Sequence, residues 1–205
     1  MTIRLHRGDL PDLSAYTGAV AIDTETMGLD PRRDRLCVVQ LSPGDGSADI
    51  VQIAASQTRA PNIERLLADP DRLKLFHFGR FDIGVLSHAF GVMARPVYCT
   101  KIASRLARTY TDRHGLKDLA RELLGVDLSK QQQSSDWGAD SLSEAQVAYA
   151  ATDVLHLHAL KERLDAMLAR EGRAELAAAC FRFLPDRVRL DLAGWAEQDI
   201  FSHGV

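Results

Sequence analysis

Three short apolar runs near the N-terminus constrain the fold of this chain more than any other feature. Gly18 to Thr26 begins with small and β-branched residues and ends in polar ones. Leu36 to Leu41 and Asp49 to Ile53 repeat the strand-like composition. The turn-rich Gly28-Leu29-Asp30-Pro31 joins the first two runs, and the Ser42 to Gly46 cluster joins the last two. Parallel neighbours need a crossover of about a dozen residues or more, and neither link supplies one. The three runs therefore read as an antiparallel meander.

Helical periodicity takes over beyond this point. Pro61 to Ala68 reads as a helix opened by proline. Leu73 to Phe78 reads as a short buried strand, Phe81 to Phe90 as a helix ended by Gly91, and Val97 to Thr100 as a last strand. From Lys101 to Cys180 the pattern is helical, with breaks near 110–114, 125–138 and Gly172. Ser143 and Gln146 have the spacing of a capping box for the helix that follows. This order predicts one α/β domain over residues 1–182, a mixed β-sheet flanked by α-helices. Residues 183–205 lack a clear period and read as a C-terminal tail suited to an oligomer contact.

The 205 residues can bury a core without staples, and no apolar run nears the ~18 residues of a membrane span. Three scattered cysteines and the absence of an apolar leader point to a cytoplasmic protein. A net charge of -3 excludes a surface that is basic throughout. Residues 95–135 nevertheless hold eight Lys or Arg against four acids. That stretch reads as an anion-facing flank or, equally, as a solvated helical surface.

Four carboxylates fall at the ends of these elements. Asp23 and Glu25 are two apart on a strand, so they share one face. Alone, they read best as a solvent-facing strand end. Asp82 lies where a buried strand meets an amphipathic helix, a position that also suits an acid complementing the helix dipole. Asp153 follows Tyr149 by four residues on one helix face, among Ala150, Ala151 and Val154. A buried carboxylate there needs a metal or an arginine partner.

Taken together, Asp23-Thr24-Glu25, Phe81-Asp82 and Tyr149 to Asp153 resemble the three motifs of DEDD 3′→5′ exonucleases, and the tyrosine marks the DEDDy branch. Lys130 to Trp137, Leu142-Ser143 and Tyr149-Ala150-Ala151 are similar to the RNase D-like family. His6 to Leu10, Asp34 to Leu41 and Tyr110 to Lys117 resemble its compact nano-RNase C branch in alphaproteobacteria. The resemblance implies an RNase H-like fold and a metal-dependent 3′→5′ exoribonuclease cutting short RNA, diribonucleotides above all. It implies two Mg²⁺ or Mn²⁺ ions on Asp23, Glu25, Asp82 and Asp153, with Tyr149 orienting or helping to deprotonate the attacking water. It also implies a homo-octameric ring. At 205 residues the chain is expected to lack the added RNA-gripping domains of full-length RNase D.

Leu29 is the candidate wedge between two bases, or a turn leucine capping the core. His77, Arg80, Lys101, Arg113, His114, Lys130 and Gln133 are candidates for phosphate or sugar contact. Arg80 reads equally as an ion-pair partner for the acids. Trp137 reads as a core anchor before a base-stacking residue, and His156 and His158 as structural. Two other activities stay open: trimming of longer RNA or DNA ends, and a catalytically silent nucleic-acid-binding module.

Overall fold

The computed structural model describes residues 2–129, 131–132 and 134–203. Lys130 and Gln133, both candidate substrate contacts, lie outside the described residues. Six strands form one mixed sheet in the order β1-β4-β3-β2-β5-β6. The predicted meander is β2 (Val20–Thr26), β3 (Leu36–Ser42) and β4 (Ser47–Gln52), antiparallel throughout. Strand β5 (Lys74–Phe76) pairs parallel with β2, and β6 (Val97–Cys99) pairs parallel with β5. A strand that the sequence reading lacks, β1 (Thr2–Arg7), adds to the edge of β4.

Alternation along β2 divides the core between two faces. Ile22 packs with Val39, Ile63, Leu66, Phe76, Ile83 and Leu86. These come from the sheet, from α1 (Pro61–Ala68) and from α2 (Arg80–Phe90). Ala21, on the opposite face, packs with Val38, Ile50, Ala150, Ala151, Val154 and Leu157. That face is covered by α5 (Glu144–Leu155) and α6 (Leu157–Arg170). Between α2 and α5 in the chain lie α3 (Thr100–Ala107) and the short α4 (Leu116–Leu119).

The capping box is formed: the Ser143 hydroxyl accepts from the Gln146 amide, and the Gln146 side chain accepts from the Ser143 amide. It fixes where α5 begins, and so how far along the sheet Tyr149 and Asp153 fall. Where the sequence shows no clear period after Phe183, α7 (Ala174–Leu190) continues through Pro185. Leu184 and Val188 are buried in the core there. The periodicity is blurred because Phe181, Leu184, Pro185 and Val188 meet two different neighbours, α2 and the β6 edge.

Candidate active site

The strand alternation that buries Ile22 turns Asp23 and Glu25 toward α5 and turns Thr24 toward α2. Thr24 accordingly donates from Oγ1 to Asp82 Oδ1 at 2.7 Å. Asp82 sits in the first turn of α2 and is 4 % exposed. From the other side α5 brings Asp153, and oxygens of Asp23, Glu25 and Asp153 lie within 4.8 Å of one another. Tyr149, one turn before Asp153, is half-buried and stands 6.0 Å, ring to ring, from the buried Trp137. Trp137 is thus the core anchor that its neighbours suggested, and it backs the tyrosine.

The electrostatics of the cluster are dominated by missing partners. Burial and then repulsion from Asp82, Asp153 and Glu25 push Asp23 well above the usual carboxylate range. Burial, then Asp153 and Asp82, raise Glu25 to about 8. Burial also raises Asp82, against the Thr24 hydrogen bond that favours its charge, and burial followed by Asp82 raises Asp153. Tyr149 is raised by burial and by the surrounding acids, so its phenol keeps its proton. Among the described residues, the ion pairs of the molecule engage other acids and leave these four aside. Several converging, half-buried carboxylates without a cation fit hard divalent ions such as Mg²⁺ or Mn²⁺, whose preferred ligands are oxygens.

The remaining predicted contacts fall into three groups. At the C-terminal ends of the parallel strands, His77 follows β5, and its Nδ1 lies 2.9 Å from Thr100 Oγ1. Burial and the neighbouring Lys101 lower it to about 3, so it is neutral. Lys101 Nζ stands 4.2 Å above the centre of the Phe78 ring. Leu29 is 86 % exposed on the loop after β2. Gly28 permits that loop, because a Cβ on it would lie 2.2 Å from Asp34 Oδ2. Asp34 in turn accepts from the Asp30 amide at 2.9 Å.

A second group lies on the loop after α3. His114 Nδ1 meets Ser104 Oγ at 2.8 Å, and fully buried Arg108 holds both Ser104 Oγ and the Arg113 carbonyl. Burial first, then Arg108 and Arg105, lower the His114 imidazole. The Arg113 side chain itself is exposed. Arg80 stands apart from both groups. Its guanidinium binds Asp191 through two bonds, at 2.5 and 2.8 Å, and also the Ala196 carbonyl at 2.9 Å. It pairs with an acid beyond α7 and not with the cluster. Sequence reasoning overlooked Thr24 and Phe78, and the alternation of β2 was the signal that could have found Thr24. His156 ends α5, and His158 binds the Ala19 carbonyl at 2.9 Å, both consistent with structural roles.

Comparisons with known proteins follow the same outline. Residues 10–169 match the 3′-5′ exonuclease family. The solved structure of Brucella melitensis NrnC bound to pGG superposes with a TM-score of 0.97 at 64 % identity, covering all of both chains. Brucella melitensis NrnC with bound Mg²⁺ gives 0.96 at 63 % identity, again over both whole chains. Ribonuclease D of Gluconacetobacter diazotrophicus is 36 % identical over 172 residues, which is 82 % of this chain and 42 % of that protein. The chain therefore spans about two-fifths of the length of the curated relative it matches. Sheet order, the converging carboxylates on β2, α2 and α5, and the match over most of the chain agree: this protein belongs to the 3′-5′ exonuclease family.

Proposed function

We propose that this protein is a metal-dependent 3′→5′ exoribonuclease that cuts short RNA, diribonucleotides above all, into nucleoside 5′-monophosphates. The observation that carries the reading is the set of half-buried carboxylates meeting, among the described residues, without a cationic partner. Leaving such charges unpaired costs several kcal/mol per ion, and two divalent ions would remove that cost. Asp23, Glu25, Asp82 and Asp153 hold the ions in this reading, with Asp23 as the shared ligand. Bound divalent cations supply an activated water and offset charge on the leaving oxygen.

The side chains do the rest. Thr24 fixes the Asp82 carboxylate by its hydrogen bond. Tyr149 keeps its proton, so its hydroxyl orients the attacking water by donating to it or accepting from it. It does not serve as a free base, since a phenol raised above its ordinary value of 10.0 is protonated at neutral pH. Leu29 projects as the wedge between two bases. Lys101 and neutral His77 face the phosphate and sugar beside the acids, and Arg113 and His114 hold the far end of a short substrate. The full-length likeness to an NrnC captured with pGG favours two-nucleotide RNA over long structured RNA.

The reading includes a homo-octameric ring working in the cytoplasm, with the exposed part of residues 183–205 as an assembly element. No helix of the described residues is long and apolar enough to cross a membrane.

A length series of 5′-labelled RNAs, two to ten nucleotides, tests the activity in Mg²⁺ and in EDTA. Preference for two nucleotides with full loss in EDTA is expected. Equal rates at all lengths would favour general end-trimming, and activity in EDTA would end the metal reading. Sedimentation at micromolar concentration tests the ring, which a monomer would refute.

A further inference from the structure

The backbone is strained just beyond the C-terminal end of β5. Phe78 has φ +64°, and among the described residues no other non-glycine residue has positive φ. A bulky aromatic in the left-handed region is a steric outlier, and such residues persist where surrounding structure over-determines them. Core packing does not explain this one. Phe76, two residues earlier, is fully buried, whereas Phe78 is 48 % exposed. Folding thus gains neither a relaxed backbone nor full burial from this ring.

Its position is informative. Strands β2, β5 and β6 are parallel, so their C-terminal ends share one edge of the sheet. Asp23 and Glu25 end β2, His77 and Phe78 follow β5, and Thr100 and Lys101 follow β6. Ligands of open α/β sheets settle outside the carboxyl ends of strands. The loop is held from below. Phe81 N donates to the Phe78 carbonyl at 3.1 Å, and a Cβ on Gly79 would lie 2.6 Å from Phe76 Cβ, so the chain there cannot shift toward the core. Lys101 Nζ, 4.2 Å over one ring face, fixes the ring further and places a positive charge beside it.

We infer that Phe78 is the platform on which one nucleobase of the substrate stacks, with Lys101 fixing the ring and meeting a phosphate oxygen of the same nucleotide. This rests on the RNA reading proposed above and adds the group that holds the base. Stacking tolerates every base, because each has a π-face, so the platform supplies affinity without base preference. Removing such a stack weakens binding by about tenfold to a hundredfold.

The test compares Phe78→Leu, Phe78→Gly, Phe78→Tyr and Phe78→Trp with the wild-type chain in Mg²⁺. The substrates are a 5′-phosphorylated diribonucleotide and two analogues, each lacking one base. Phe78→Leu and Phe78→Gly should raise KM for the intact dinucleotide at least about tenfold with kcat changed less than about twofold. Tyr and Trp should restore KM. One of the two abasic analogues should be insensitive to every substitution, which locates the stacked base. Phe78→Gly should also raise Tm, because glycine accepts φ +64° without strain. An unchanged KM in Phe78→Leu, or an equal loss on both abasic analogues, overturns the platform. Calorimetric binding of the dinucleotide in Ca²⁺ separates the two ideas. Wild-type binding that Phe78→Leu loses, with no hydrolysis by either chain in Mg²⁺, upholds the platform and refutes the nuclease. No binding by the wild-type chain overturns both.

Discussion

Asp49 on β4 and the acids of the site pack against one sheet and differ most in their partners. Asp49 on β4 is 3 % exposed and receives Arg4 Nε at 2.7 Å, Arg4 Nη2 at 2.9 Å, His6 Nε2 at 2.7 Å and Tyr16 Oη at 2.7 Å. Burial alone would raise it, but the hydrogen bonds from Arg4, Tyr16 and His6 win and hold it at about 2. The β2, α2 and α5 acids, buried at Asp82 and half-buried at the other three, face one another and are raised. Burial therefore does not mark a functional carboxylate. What distinguishes the site is that, among the described residues, no protein cation pairs with the acids where several charges converge, which leaves room for one from solution.

The comparison can be broken first at its largest expected effect. Asp153→Asn should lower turnover about 1,000-fold, the loss of several kcal/mol of charge stabilisation, while raising Tm in EDTA because one repelling charge is gone. A mutant less stable than wild type in EDTA would show that the cluster is structural. Asp49→Ala should do the reverse. It should cost about 3 kcal/mol in urea unfolding, because Arg4 is only partly buried, and should leave the kcat of the folded fraction intact.

Ligand addition sharpens the contrast. Saturating Mg²⁺, at about 100 times its dissociation constant, should stabilise the chain by about 2.7 kcal/mol. Calorimetric melts should show that gain shrinking in Asp153→Asn and persisting in Asp49→Ala. A pH series separates the sets further. The Asp49 carboxyl is lowered from 3.8 to about 2, so its contribution is fully present above pH ~4 and is lost as pH falls through about 2. That loss amounts to about 2 kcal/mol, and Asp49→Asn should remove this part of the acid slope. The smallest effect belongs to Tyr149→Phe. Losing one orienting hydrogen bond of about 1 kcal/mol should slow turnover roughly fivefold to tenfold with RNA affinity retained. Unchanged turnover would remove the tyrosine from the mechanism.

Much of this was legible before any coordinates. The short links forced the antiparallel meander, Gly91 closed α2 in the left-handed conformation, and Ser143 with Gln146 set the start of α5. The order of the motifs marked Asp23, Glu25, Asp82, Tyr149 and Asp153. Strand β1 escaped because its reason lies elsewhere. Arg4 and His6 alternate along it to meet Asp49, a partner that no local window contains. Arg80 shows the same limit, since its acid is Asp191, beyond α7.

Sequence alone determined the elements and which side chains share a face, because periodicity and capping act over a few residues. It also determined the family, through motifs placed on those elements. Tertiary structure alone decided which carboxylates stay unpaired, because ion pairing depends on distances between segments far apart in the chain. It also decided that Phe78 takes φ +64° with its ring turned outward, because a steric cost of that kind is imposed by the packing around it and leaves no pattern in the residues themselves.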